Sequence, residues 1–198
     1  MSKTIYTVFD LETTGLNKPV GSDQVIEIAA LRTDLERDLG ALHMVVELTP
    51  GRTLSDFIKN LTGLTEPDLD GGFDSKDSIA MLADFIGDSV AVAHHYPFDS
   101  SFFRRVFPNK FICTRVLAKS VDMKQGINRS ASLKDVCKAI GYDLSGHHQA
   151  GNDVRATKAV LAHYLPLAEQ LGVPYLNILV ENPDRPLDFI PPFAKVLN

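Results

Sequence analysis

Cysteine is scarce in this chain: Cys113 and Cys137 form no C-x-x-C pair and are too few for a zinc site or a disulfide framework. No apolar run approaches the ~20 residues needed to span a bilayer as a helix, so a membrane-embedded helical class is excluded. The opening M-S-K-T-I-Y-T-V-F-D holds too short an apolar stretch for a signal-peptide core, and a reducing cytoplasm is the expected location. Internal repeats and low-complexity tracts are absent. Positive charge is also in deficit: 20 Lys and Arg against 25 Asp and Glu leave a net −5, which taken alone disfavours a polyanionic partner. The deficit is uneven. Residues 104–138 carry nine Lys and Arg against two Asp, a local +7 that leaves −12 on the remainder. Such a stretch is either a set of solvated helix faces or a surface for phosphates.

What the chain does have is the length and apolar content of one globular domain with a proper core: 198 residues, 44% hydrophobic and 23% charged. Residues 5–9 read as a short buried strand ending at Asp10. Residues 24–33 and 41–48 read as two more, paired as an antiparallel hairpin across L-E-R-D-L-G. A helix is expected over 75–86, capped by Asp74 or Ser75 and stopped at Gly87. Strand 90–93, a helix opened by Pro97 and running to about 106, and strand 111–113 follow. Ser132 and Asp135 form a capping box for a helix that ends at Gly141, with Cys137 on its apolar face. The last long helix starts near Ala150, carries Val154, Thr157, Leu161 and Tyr164 on one face, and is expected to kink or restart at Pro166. Pro183, Pro186, Pro191 and Pro192 mark residues 176–198 as an extended arm, either lying on a domain of residues 1–175 or left mobile. The order β-β-β-α-β-α-β-α-α predicts an α/β fold with a mixed central sheet flanked by helices.

Three segments carry candidate chemistry. In V-F-D-L-E-T-T-G (8–15), strand alternation puts the carboxylates of Asp10 and Glu12 on one face, a spacing suited to a shared hard cation. The following Thr13, Thr14 and Gly15 suit a nucleotide beside the metal, through hydroxyls and a close backbone approach. In A-H-H-Y-P-F-D at 93–99, Asp99 falls in the first turns of a helix whose Phe98 and Phe102 are mostly apolar-facing. In H-H-Q-A-G-N-D at 147–153, Asp153 falls in the first turn of the last helix. A histidine five residues earlier can reach the same spot only from the preceding loop, because residues five apart on one helix diverge. His147 and His148 compete for that role.

Together these segments resemble the DEDDh group of 3′→5′ exonucleases, the family that includes the proofreading subunit of bacterial replicative DNA polymerase, exonuclease X and ribonuclease T. D-L-E-T-T-G, H-x-x-x-F-D at 94–99 and H-x-x-x-x-D at 148–153 match its three motifs in order. L-T-G-L-T (61–65) and C-T-R-V-L-A (113–118) are similar to two further family segments. The resemblance implies a ribonuclease-H-like fold with a five-stranded mixed sheet. It also implies two divalent ions, Mg2+ with Mn2+ able to substitute, on Asp10, Glu12, Asp99 and Asp153. It selects His148 over His147 as general base, and Thr13, Thr14, Gly15, Leu16, His94 and Phe98 as substrate contacts, with a core position as the other reading of Leu16. One departure stands out: His95 occupies a position where the family commonly has Asn.

The implied reaction is release of nucleoside 5′-monophosphates from the 3′ end of DNA, single-stranded or frayed, in repair, proofreading or degradation, with a DNA polymerase as a possible partner. RNA as substrate is the alternative within the family. Two other classes compete. The first motif also resembles the F-D-x-D-G-T signature of haloacid-dehalogenase phosphatases, but Glu12 and the T-T-G order disagree with it. A non-catalytic module that binds nucleic acid or a polymerase without cutting usually loses ligands, and this chain keeps all five candidates.

Overall fold

The computed structural model describes residues 3–103, 107–144, 149–181 and 186–197. Strand β1 (Tyr6–Thr13) runs antiparallel to β2 (Val25–Thr33), which pairs antiparallel with β3 (Asp38–Val45). β1 extends past the expected end at Asp10 and carries both carboxylates of its motif. Two short helices follow, α1 (Asp56–Thr62), capped by the Ser55 hydroxyl and closed by Gly63 at φ 77°, and α2 (Glu66–Leu69), opened by a Thr65–Asp68 capping box. Helix α3 (Ser75–Ile86) is capped by Asp74, whose carboxylate accepts from the N–H groups of Lys76 and Asp77.

The parallel half of the sheet then forms: β4 (Val90–Ala93), α4 (Tyr96–Ser100) and β5 (Phe111–Cys113). Helix α4 stops well short of residue 106, giving way to a turn at Ser101 and Phe102. Helix α5 (Thr114–Lys124) starts directly from β5 with no side-chain cap, and α6 (Leu133–Ala139) is capped by Ser132. Helix α7 (Ala150–Leu171) is continuous through Pro166. Both Pro166 and Ala162, whose carbonyl loses its helical partner, are exposed, so the freed carbonyl sits on a residue open to solvent.

The main sheet has the order β3-β2-β1-β4-β5. Alternation sorts its side chains onto two faces. Val8, Ala29, Leu31, Val92 and Ile112 pack with α5, α6 and α7, and Phe9, Leu11, Ile28, Ala30, Ala91 and Phe111 pack with Leu82 and Ile86 of α3 and with Tyr96. Both faces are covered, which is why β4 (V-A-V-A) is buried at every residue. The arm is docked. β6 (Ile178–Val180) pairs in parallel with β7 (Lys195–Leu197), and Leu179, Leu187, Ala194 and Val196 join the second core. Asn177 clamps it to the sheet edge, donating its N–H to the Phe111 carbonyl (2.8 Å) and accepting the Phe111 N–H on Oδ1 (2.7 Å).

Candidate active site

Asp10 and Glu12 lie on the α7 side of β1, the side shared by Val8. Asp153, in the first turn of α7, comes down on the same spot, and Asp10, Glu12 and Asp153 each offer a carboxylate oxygen within 4.8 Å of the others. Among the described residues this is the one grouping of three or more His, Cys, Asp or Glu side chains close enough to share an ion. Asp99 joins from the other neighbour. β4 pairs with β1 only as far as Val8, and the chain beyond it turns into α4, where the Asp99 carboxyl meets the Leu11 N–H and presses its charge on Asp10.

Burial and mutual repulsion dominate the electrostatics. Desolvation, then Asp99, Glu12, Asp153 and Glu27, hold the Asp10 carboxyl well above the usual carboxylate range. Glu12 is pushed up to about 8 by burial and by the charges of Asp153 and Glu27. Asp99 is raised by burial and Glu12 against the opposing pull of backbone N–H groups at Asp99 and Leu11. Such a cluster calls for compensating positive charge, and an all-oxygen donor set fits a hard divalent cation.

Glu27 escaped the sequence reading. It stands opposite Glu12 in the β1–β2 register, and its Oε1 lies 2.6 Å from His43 Nε2 on β3. The signal was available in the alternation of V-I-E-I-A, where Glu27 shares a face with Ala29, but nothing in the sequence alone sets the register that brings it to Glu12.

The T-T-G-L turn is organised by a second missed residue, Asp23. Its carboxylate accepts from the Thr14 hydroxyl (2.8 Å), the Asn17 N–H (2.9 Å) and the Ser22 hydroxyl (2.9 Å). Gly15 packs against it so closely that a Cβ there would lie 2.6 Å from Oδ1. The Thr13 hydroxyl donates to the Gly15 carbonyl. Thr13 and Thr14 thus shape the loop through their hydroxyls, while Leu16 projects from it 69% exposed rather than entering the core.

His94 braces the opposite wall. Its Nε2 donates to the Ala131 carbonyl (3.0 Å) and Nδ1 pairs with the Thr114 hydroxyl (2.9 Å), so both ring nitrogens are engaged within the protein. Phe98 is half-buried, edge-on to Phe102. His147 and His148 lie outside the described residues, as do Arg104 and Arg105 of the basic stretch. Within that stretch Arg129 turns inward to the buried Asp122 (Nε to Oδ2, 2.5 Å), while Lys124, Lys134 and Lys138 are exposed.

A five-stranded mixed sheet between helices, with carboxylates gathered at its centre, is the ribonuclease-H-like exonuclease architecture. Residues 7–161 match the exonuclease family of ribonuclease T, and the chain belongs to that family. It is 31% identical over 191 residues to the PolC-type DNA polymerase III of Bacillus subtilis and 30% identical over 180 residues to that of Thermotoga maritima. Those alignments cover 92% and 87% of this chain but 13% of each relative, so the chain spans about an eighth of their length. Its fold is that of the nuclease domain of 3′hExo, a DEDDh family member bound to rAMP, with TM-score 0.70, 18% identity, and 87% of this chain and 96% of that one covered. Exonuclease X in complex with 5′ overhanging duplex DNA superposes with TM-score 0.65 at 23% identity, covering 84% and 93%.

Proposed function

We propose that this nuclease is a 3′→5′ exonuclease that releases nucleoside 5′-monophosphates from single-stranded or frayed 3′ ends of DNA. The observation that carries the reading is the meeting of carboxylates from β1, α4 and α7 in a chain of the exonuclease family. Asp10, Glu12, Asp99 and Asp153 would hold two divalent ions, Mg2+ or Mn2+, which would supply charge neutralisation and Lewis acidity at the scissile phosphate. His148, two residues before α7 in the sequence, would take the proton of the attacking water near neutral pH. Leu16 and Phe98 flank the terminal nucleotide, and Gly15 lets it approach the backbone.

DNA is favoured over RNA because the aligned relatives are named as DNA polymerases and Exonuclease X is described on duplex DNA. The same relatives support work in replication or repair, in the cytoplasm, beside a polymerase. RNA is the second reading, supported by the fold shared with 3′hExo bound to rAMP.

Incubating 5′-labelled single-stranded DNA and RNA of one sequence with Mg2+ tests this. A ladder shortening from the 3′ end with deoxynucleoside 5′-monophosphates is the expected result. Internal cuts, inorganic phosphate as sole product, or binding without turnover would each refute it.

A further inference from the structure

His95 is an exposed ring at the N-cap of α4, on the short turn that carries Asp99. It lies nearly parallel to Phe98, with an interplanar angle of 11° and ring centroids 6.4 Å apart, so a flat group stacked on one ring is parallel to the other. Phe98 is held edge-on by Phe102, centroids 5.5 Å apart, and Phe102 is itself in the core. The pair is therefore anchored to the same rigid turn as one of the four carboxylates. Arg115 lies close by, its backbone N–H donating to the carbonyl of the adjoining His94 (3.1 Å) and its charge reaching the His95 ring. Asp188 of the arm and Lys18, joined as an ion pair, are near enough for their charges to reach the ring.

We infer that His95 and Phe98 form a stacking platform for one base of the bound strand close to its 3′ end, with Arg115 drawing in the adjacent phosphate. The inference rests on the reading of the chain as a nucleic-acid 3′-end nuclease. A solvent-facing ring parallel to a second aromatic suits any base, because each base offers a π-face. A guanidinium beside it supplies the phosphate attraction that stacking lacks. The chain's departure from the family's common Asn at this position then exchanges an amide for a stacking surface.

The test is the affinity of a 5′-fluorescein single-stranded DNA 12-mer, read by anisotropy with Ca2+ in place of Mg2+ to hold back turnover. His95→Ala and His95→Asn should weaken binding about tenfold, and His95→Phe should return it to within about threefold of the wild type. Abasic oligonucleotides locate the contact: with the base removed at one of the last four positions, wild type and His95→Ala should bind equally. Equal affinity of wild type and His95→Ala for the intact strand overturns the platform, as does a loss that every abasic probe leaves undiminished, the mark of a folding defect. A parallel digestion with Mg2+ judges the parent reading separately. A wild type that shows the base-specific effect but releases no mononucleotide keeps the platform and sinks the exonuclease. A wild type that digests with His95-independent affinity does the reverse, and one that does not bind the strand overturns both.

Discussion

Glu12 and Glu27 stand directly opposite one another across the β1–β2 ladder, and Glu27 is hydrogen-bonded in turn to His43 on β3. Like charges in that position are destabilising by roughly 0.2–1 kcal/mol, and Glu27 is one of the causes that raise Glu12 to about 8. Glu27→Gln should therefore raise the melting temperature of the metal-free protein at pH 8 while weakening its affinity for Mn2+. Calorimetry in EDTA and isothermal titration with Mn2+ check the two halves. A lower melting temperature would mean that the bond to His43 outweighs the repulsion.

The pH dependence of the metal-free protein has a definite sign. Glu12 binds its proton more tightly folded than unfolded, so between its ordinary value near 4.5 and about 8 the native state holds the extra proton. Stability from this group is complete below the ordinary value and is lost as pH rises through that window. Asp10 and Asp99, raised in the same direction, add to the loss. In EDTA the melting temperature should fall by several degrees from pH 5 to pH 8, and millimolar Mg2+ should recover it at pH 8. A melting temperature that rises with pH in EDTA would contradict the repulsive cluster.

Burial and the neighbouring carboxylates hold Asp10 and Asp99 above the usual carboxylate range, so replacing either by an isosteric neutral amide removes repulsion without emptying its place in the metal-free fold. Asp99→Asn and Asp10→Asn should leave the metal-free melting temperature nearly unchanged, yet remove most of the Mg2+-induced gain and abolish digestion. His148→Ala should keep the Mg2+ gain while slowing the reaction by ~10²–10⁴. The contrast separates loss of ligand from loss of base.

The central sheet was legible because strand alternation and apolar runs are local signals. The 75–86 helix and the antiparallel hairpin follow from such patterns, and the DEDDh motifs supplied the order of the carboxylates. The helices α1 and α2 were not read because pieces of seven and four residues carry too little periodicity, though each has a capping residue in plain view at Ser55 and Thr65. Helix α5 was missed because no cap separates it from β5. Glu27 and Asp23 act through register and loop closure, which are tertiary facts. Four prolines described the arm's local stiffness but not its docking, which depends on Asn177 finding the free edge at Phe111.

Gly15 is a steric requirement. The Asp23 carboxylate it abuts is pinned by Thr14, Asn17 and Ser22 and has little room to retreat. Gly15→Ala should cost about 1–3 kcal/mol as an overpacking strain and lower kcat/KM through distortion of the loop that carries Leu16. Asp23→Ala should offset part of the strain, so the double variant should show a coupling of about 0.5–3 kcal/mol in urea unfolding. Strict additivity would show that the loop absorbs the methyl group without Asp23.

Arg129 decides between two meanings of the basic stretch. Its guanidinium donates from Nε and Nη2 to the two oxygens of Asp122, at 2.5 and 2.8 Å, and the Tyr164 hydroxyl donates to the same carboxylate. Asp122 is 2% exposed, so removing the cation strands a buried charge. Arg129→Met should destabilise the fold by about 3 kcal/mol, and Asp122→Leu in the same chain should recover much of that. Neither change should alter the salt dependence of strand binding, because the pair is neutral and turned inward. The exposed Lys124, Lys134 and Lys138 face the opposite expectation. Each one that meets a phosphate should, when changed to Gln, lower the slope of log affinity against log salt by about 0.7 on single-stranded DNA. A slope that drops for Arg129→Met and stays fixed for the three lysines would reverse the assignment and make the Asp122 pair part of the strand-binding surface.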